Sequence, residues 1–273
     1  MFSITANSAN PFSMKDAKTI YTASMSGRNA GCQLLINNIP VLKNEYAGSI
    51  SKFLINPWLI NGQNTFKLRM LPADSATKNH PEFVLTEMFC KVTISLLKED
   101  GTRDSILASV EVSATEADQA PSKTGEFPVI LGYSQPPWAQ SEKIGRDSIT
   151  QRKILDKYRE FYRLLETKDL AGIMQFSAAK FQEYSKSMYD PDFVSDKKAS
   201  ITETFASPPG TLISIDEQKK FGLQYEYYNG DRLVSINNDE DRSIIQYYDS
   251  DEGVTTQYKL YFYFDGKELV LIL

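Results

Sequence analysis

The chain has 273 residues, 41% hydrophobic and 24% charged, which makes it a globular chain with length for about two domains and excludes a disordered one. Thirty Lys and Arg against 35 Asp and Glu give a net charge of −5, so a general nucleic-acid binder, which needs a basic surface to neutralise phosphate, is excluded. No window approaches about 18 uninterrupted apolar residues, so no membrane-spanning helix is expected.

Met1 to Ala30 has neither a basic n-region nor an apolar h-region. The expectation is a periplasmic protein if a leader was removed, and otherwise a cytoplasmic one. Gly31 to Val41, GCQLLINNIPV, places Cys32, Leu34 and Ile36 on one face of a strand, with Asn38 and Pro40 disturbing its end. Asn64 to Leu71 alternates Phe66, Leu68 and Met70 with Lys67 and Arg69. Glu87 to Leu97 puts Met88, Cys90, Val92, Ile94 and Leu96 on one face, and Glu99 to Thr102 is a hairpin signal leading into Ser105 to Val112. Short strands broken by Gly, Pro and Asn predict an all-β sandwich over 1–137.

Residues 138–147 follow a Pro-, Ser- and Gln-rich stretch and read as a linker. Ser148-Ile149-Thr150-Gln151 fits a capping box. Behind it, Ile154, Leu155, Tyr158, Phe161, Tyr162 and Leu165 form one helical stripe. Shorter helices follow through Leu170–Met174, after Ser177 with Phe181, Tyr184 and Met188 on one side, and over Ser195–Phe205. From Thr211 the pattern is a strand meander, with Asn229-Gly230 as a two-residue hairpin and Asp265-Gly266 before the last strand. In the long strand Val254–Phe264, Tyr258, Leu260, Phe262 and Phe264 are assigned to a helix-covered core, and Tyr261 and Tyr263 to the opposite face. The prediction for 148–273 is α+β, with helices packed on a curved antiparallel sheet.

Two resemblances rest on these residues. KILDKYREFYRLLETKDLAGIMQF and the closing YKLYFYFDGKELVLI resemble the NTF2-like fold, a cone of helices wrapped in a curved sheet. Ile39-Pro40-Val41 and INPWLINGQNTF, with the turn at Gly62 and Asn64, resemble a jelly-roll sandwich of the galactose-binding type. The first implies a cone able to hold a small molecule. The second implies a sandwich, not a ligand.

The candidate chemistry is thin. His80, the single histidine, reads as a loop residue, and with two cysteines there are too few N and S ligands for a zinc site. Cys32 and Cys90 are read as buried apolar residues, with a cross-strand disulfide as the alternative. The acidic turns Asp239–Asp241 and Asp249–Glu252 are read as solvated hairpins rather than a calcium site. Trp58 and Trp138 are read as packing residues, with a sugar platform as the alternative. No catalytic residue, metal or cofactor is expected. The expected function is a non-catalytic bacterial protein-binding protein, an envelope accessory or a toxin-neutralising immunity protein. Its partner would be another protein, met on an exposed sheet face carrying Tyr228, Tyr261 and Tyr263. A carbohydrate-binding module and an NTF2-like isomerase are the alternatives.

Overall fold

A computed structural model describes residues 18–44, 48–71, 88–97, 105–114, 121–239 and 241–273. Among them are fifteen strands in four antiparallel sheets and five α-helices, so the described chain is sheet-rich, and its described α-helices all lie in the second half. No described helix is long and apolar enough to cross a membrane.

The first half is a β-sandwich. One sheet has the order β4 (Gly48–Leu54), β1 (Ile20–Arg28), β6 (Met88–Leu97), β7 (Ser105–Ala114). The other has β3 (Ile39–Asn44), β2 (Gly31–Ile36), β5 (Gly62–Leu71), β8 (Ser122–Val129). Period-2 alternation turns Ala23 and Met25, Leu34 and Ile36, Phe66 and Leu68, and Val92 and Ile94 into one buried layer. The expected strand Gly31–Val41 is two strands. Asn37 and Asn38 both take left-handed φ, 51° and 64°, and close a two-residue hairpin between Ile36 and Ile39. Pro40 sits in β3, the edge strand of its sheet, and the β2–β3 register shifts beside it, between Leu34↔Leu42 and Leu35↔Pro40. The hairpin expected at Glu99–Thr102 and the loop holding His80 lie outside the described residues, although β6 and β7 pair antiparallel as that hairpin requires.

Cys32 and Cys90 form a disulfide, with Cα atoms 5.9 Å apart. This corrects the reading of two independent apolar residues. Inward alternation on β2 and β6 brings the side chains together between the two sheets, at a separation that a disulfide spans.

The second half starts at α1 (Ser148–Glu166). Its cap is Asp147, whose carboxylate accepts the N–H groups of Ile149 and Thr150, and not the expected Ser148/Gln151 box. Those bonds, led by Thr150, hold the Asp147 carboxyl below its usual range. Ile154, Tyr158, Phe161 and Leu165 of the stripe are buried, against Ile236, Leu260 and Phe262. The Tyr158 hydroxyl donates to the Leu260 carbonyl and accepts from the Ile236 N–H, both at 2.8 Å, so the helix is tied to the sheet at its centre. α2 (Leu170–Phe176), α3 (Ala178–Ser187), α4 (Phe193–Ala206) and the short α5 (Ile215–Lys219) complete the helices.

The sheet under α1 has the order β10 (Gln224–Tyr228), β11 (Leu233–Asn237), β14 (Phe262–Phe264), β15 (Leu269–Leu271). A second sheet orders β13 (Val254–Gln257), β12 (Gln246–Asp249), β9 (Thr211–Leu212). The long strand Val254–Phe264 thus divides: Tyr258 donates its N–H to Ile245, whereas Tyr261 donates to Leu273. The chain bends as it leaves one sheet for the other, and its alternation survives the bend. Leu260 and Phe262 face the helix side, Tyr261 and Tyr263 the sandwich. The Asn229-Gly230 turn takes four residues between Tyr228 and Leu233, because Asn229, Gly230 and Asp231 all have positive φ.

Residues 138–147 run from one core to the other. Trp138 is buried in the sandwich cluster. Ile144 is buried under α1 and donates its N–H to the Asp231 carbonyl at 2.7 Å.

Candidate functional site

The tyrosine face is not a free surface. Tyr228, Tyr261 and Tyr263 are 8%, 5% and 8% exposed and pack into the sandwich cluster. The Tyr228 and Tyr261 rings lie 5.5 Å apart, the Tyr228 hydroxyl donates to Glu226, and the Tyr261 hydroxyl donates to the Pro40 carbonyl at 3.4 Å. Burial pushes all three hydroxyls above their usual range. The expectation of exposure failed for a physical reason: the sheet has two apolar faces, and the helices cover one while the sandwich covers the other.

The other candidates also have structural roles. Trp138 is fully buried and Trp58 nearly so, which leaves no exposed pair for a sugar platform. Asp249 accepts the N–H groups of Asp251 and Glu252, a local turn. Asp241 pairs with Lys43 at 3.1 Å and so ties a second-half turn to the sandwich. Among the described residues no group of three or more potential metal ligands comes together. One carboxylate is deeply buried, that of Glu183 on α3. It pairs with Lys186 at 2.6 Å, and its field acts on Tyr133 and Tyr263 on the sandwich side of that helix.

What the structure does assemble is a cleft of about 830 Å³ between β4, the Trp58 turn and the helices. That volume is in the usual range for small-ligand sites, about 300–1,000 Å³. One wall is a relay of rings. Phe53 on β4 meets Trp58 at 5.6 Å, and Trp58 meets Tyr184 on α3 edge-on at 6.0 Å. Tyr184 stacks on Phe193 of α4 at 5.5 Å with 24° between the planes. Pro57 lies within the short 3₁₀ turn Asn56–Trp58 that carries Trp58.

The opposite wall is α4. Phe193, Lys197, Ile201 and Phe205 recur at helical spacing, so one face of the helix lines the cleft. This helix of 14 residues has no buried residue, whereas α1 has four. Its apolar stripe is therefore left only half covered. Leu165, Leu260 and Leu271 form the floor.

The charged groups of the cleft share one sign. Lys52, Lys180, Lys197 and Lys259 line it, and no described Asp or Glu does, in a chain with 35 acids against 30 bases. The Lys180 ammonium lies 5.9 Å from the Tyr184 ring and that of Lys197 lies 5.3 Å from the Phe193 ring. Burial, reinforced by the nearby Lys197 charge, brings the Lys180 amine down to about 8.

Sequence reasoning missed this site because its walls come from four separate segments. The legible signal was the α4 stripe, apolar on a helix too polar elsewhere to belong to the core, with a lysine inside the stripe. No protein-family model matches the chain, and neither a curated protein nor a solved structure matches it.

Proposed function

We propose that the chain is a non-catalytic binding protein and that its ligand occupies the cleft between β4 and α4. The observation that carries this reading is the half-covered apolar stripe of α4 facing a ring-lined space of about 830 Å³. A contiguous apolar surface of this kind marks a ligand or interaction site, and taking it out of water is favourable. Binding is favoured over chemistry because no described carboxylate lines the cleft to act as a base, and the buried Glu183 faces the sandwich. The partner-protein reading loses the tyrosine surface on which it stood, so the cleft takes its place.

In the same reading the chain has two domains, 1–137 and 148–273, joined by 138–147. Two separate buried clusters support this, one centred on the sandwich and one under α1. Helices on one face of a bent antiparallel sheet support an NTF2-like arrangement for the second. The Cys32–Cys90 bond supports an oxidising compartment outside the cytoplasm, such as the periplasm.

The test uses N-phenyl-1-naphthylamine, a neutral apolar dye that brightens when it leaves water. The wild type binds it at one saturable site, and Ile201→Trp, which fills the cleft, lowers its affinity at least tenfold with the fold intact by circular dichroism. Dye binding unchanged by Ile201→Trp would refute the assignment.

A further inference from the structure

We propose that the cleft takes a monomeric single-chain amphiphile with an anionic head, of which a long-chain carboxylate is the simplest, and that Lys180 and Lys197 hold the head. The inference rests on the cleft being the binding site and adds the chemical class of its ligand.

Charge complementarity is the first argument. The cleft gathers four lysines and no described acid from a chain whose acids outnumber its bases. Exposed lysines on an acidic protein commonly find carboxylates. Among the described residues, the contacts of Lys180 and Lys197 are instead with ring faces. α3 thus holds the Lys180 ammonium in a partly dehydrated space, and the charge of the exposed Lys197 on α4 adds to the cost of charging it. An anion between them offsets that repulsion and replaces the lost hydration of Lys180.

Shape is the second argument. Beyond the lysines most of the lining is apolar or aromatic, from Phe193 and Ile201 on α4 across to Ile50 and Phe53 on β4, with Ser51, Ser177, Ser200 and Thr204 among it. A ligand that only satisfied the lysines would leave this lining wet. One that only filled the lining would leave the lysines repelling each other. A membrane surface cannot enter a space walled on one side by β4 and on the other by α4. A single alkyl chain fits both constraints.

The test compares cis-parinaric acid with its methyl ester, which share one fluorescent chain and differ in the charge of the head. At pH 7 the wild type binds the acid at least tenfold more tightly than the ester. The Lys180→Met/Lys197→Met double variant lowers the acid to the affinity of the ester and leaves ester binding within twofold. The Lys180→Arg/Lys197→Arg variant keeps the preference. The wild-type comparison stands by itself if the methionine variant does not fold. Equal binding of acid and ester by the wild type overturns the ligand class and leaves the cleft reading standing. Failure of both probes to bind overturns both. A preference that survives the methionine variant overturns the role of the two lysines. Binding to phosphatidylglycerol vesicles without binding of monomeric acid means a membrane surface and contradicts the proposal.

Discussion

Cys32 on β2 and Cys90 on β6 are bonded across the two sheets of the sandwich, 58 residues apart in sequence and 5.9 Å apart at Cα. Both are buried within the layer that Leu34, Leu68 and Val92 also fill. A cross-link closing a loop of this length restricts the unfolded chain and stabilises the fold by about 2–4 kcal/mol. Reduction and alkylation, or Cys90→Ala, are expected to lower the unfolding free energy by that amount, read as a lower urea midpoint, with the cleft's dye affinity retained. An unchanged midpoint would show that the bond contributes nothing.

Phe161 anchors the second core. It lies on the buried stripe of α1 and meets the Phe176 ring at 5.4 Å, and it also reaches the floor of the cleft. Phe161→Ala is expected to cost about 3–5 kcal/mol in urea unfolding. Because the residue serves both core and cleft, dye affinity falls as well. A variant as stable as the wild type would mean that this face of α1 is not core.

Glu183 makes stability depend on pH. Burial raises its carboxyl above the usual glutamate value, an effect partly offset by the hydrogen bond and charge of Lys186, and one carboxylate oxygen has no hydrogen-bond partner. The folded chain therefore binds this proton at a higher pH than the unfolded chain does. The sign follows from linkage: the group's contribution grows as pH falls through the raised folded value, and levels off below the ordinary value of about 4.3. The melting temperature of the wild type is expected to rise relative to that of Glu183→Gln as pH falls from 7 to 5. Parallel curves for the two proteins would remove Glu183 from the account.

Lys180 sets the pH dependence of binding. Its amine, lowered to about 8 by burial and by Lys197, loses its charge in an accessible range. The other titratable groups lining the cleft are Lys52, Lys197, Lys259, Tyr184 and Tyr258. An anion favours the charged amine, so affinity for cis-parinaric acid is full below about pH 8 and declines above it, while affinity for the methyl ester stays level. Flat affinity for the acid from pH 7 to 9.5 would contradict this role.

Much of the fold was legible because strict periodicity carries it. β5 and the α1 stripe follow alternation or helical spacing throughout, and β6 does so from Met88 to Ile94, before its register with β7 shifts and Ser95 rather than Leu96 is buried. β1, β4 and β8 were not legible. Ala23 is too small to mark an inward face, β4 is mostly exposed, and β8 is an edge strand with Pro128 in it. The Asn37-Asn38 hairpin was hidden because Asn supplies positive φ without the glycine that usually signals such a turn. The tyrosine alternation was read correctly, yet sequence periodicity separates two faces without saying what covers each. The cleft was out of reach for a related reason. Phe53, Tyr184 and Ile201 lie on three elements that only the packing of helices against β4 brings together.

The most direct measurement of the cleft's role is an isoleucine-methyl NMR titration of the ¹³C-methyl-labelled protein with cis-parinaric acid. Ile50, Ile173 and Ile201 line the cleft, whereas Ile106, Ile130 and Ile149 are exposed elsewhere and serve as internal controls. The account predicts saturable shifts of the first three methyl signals at a one-to-one ratio, with the three controls unmoved. Shifts centred on Ile106, Ile130 or Ile149, with Ile173 and Ile201 unmoved at saturation, would contradict it.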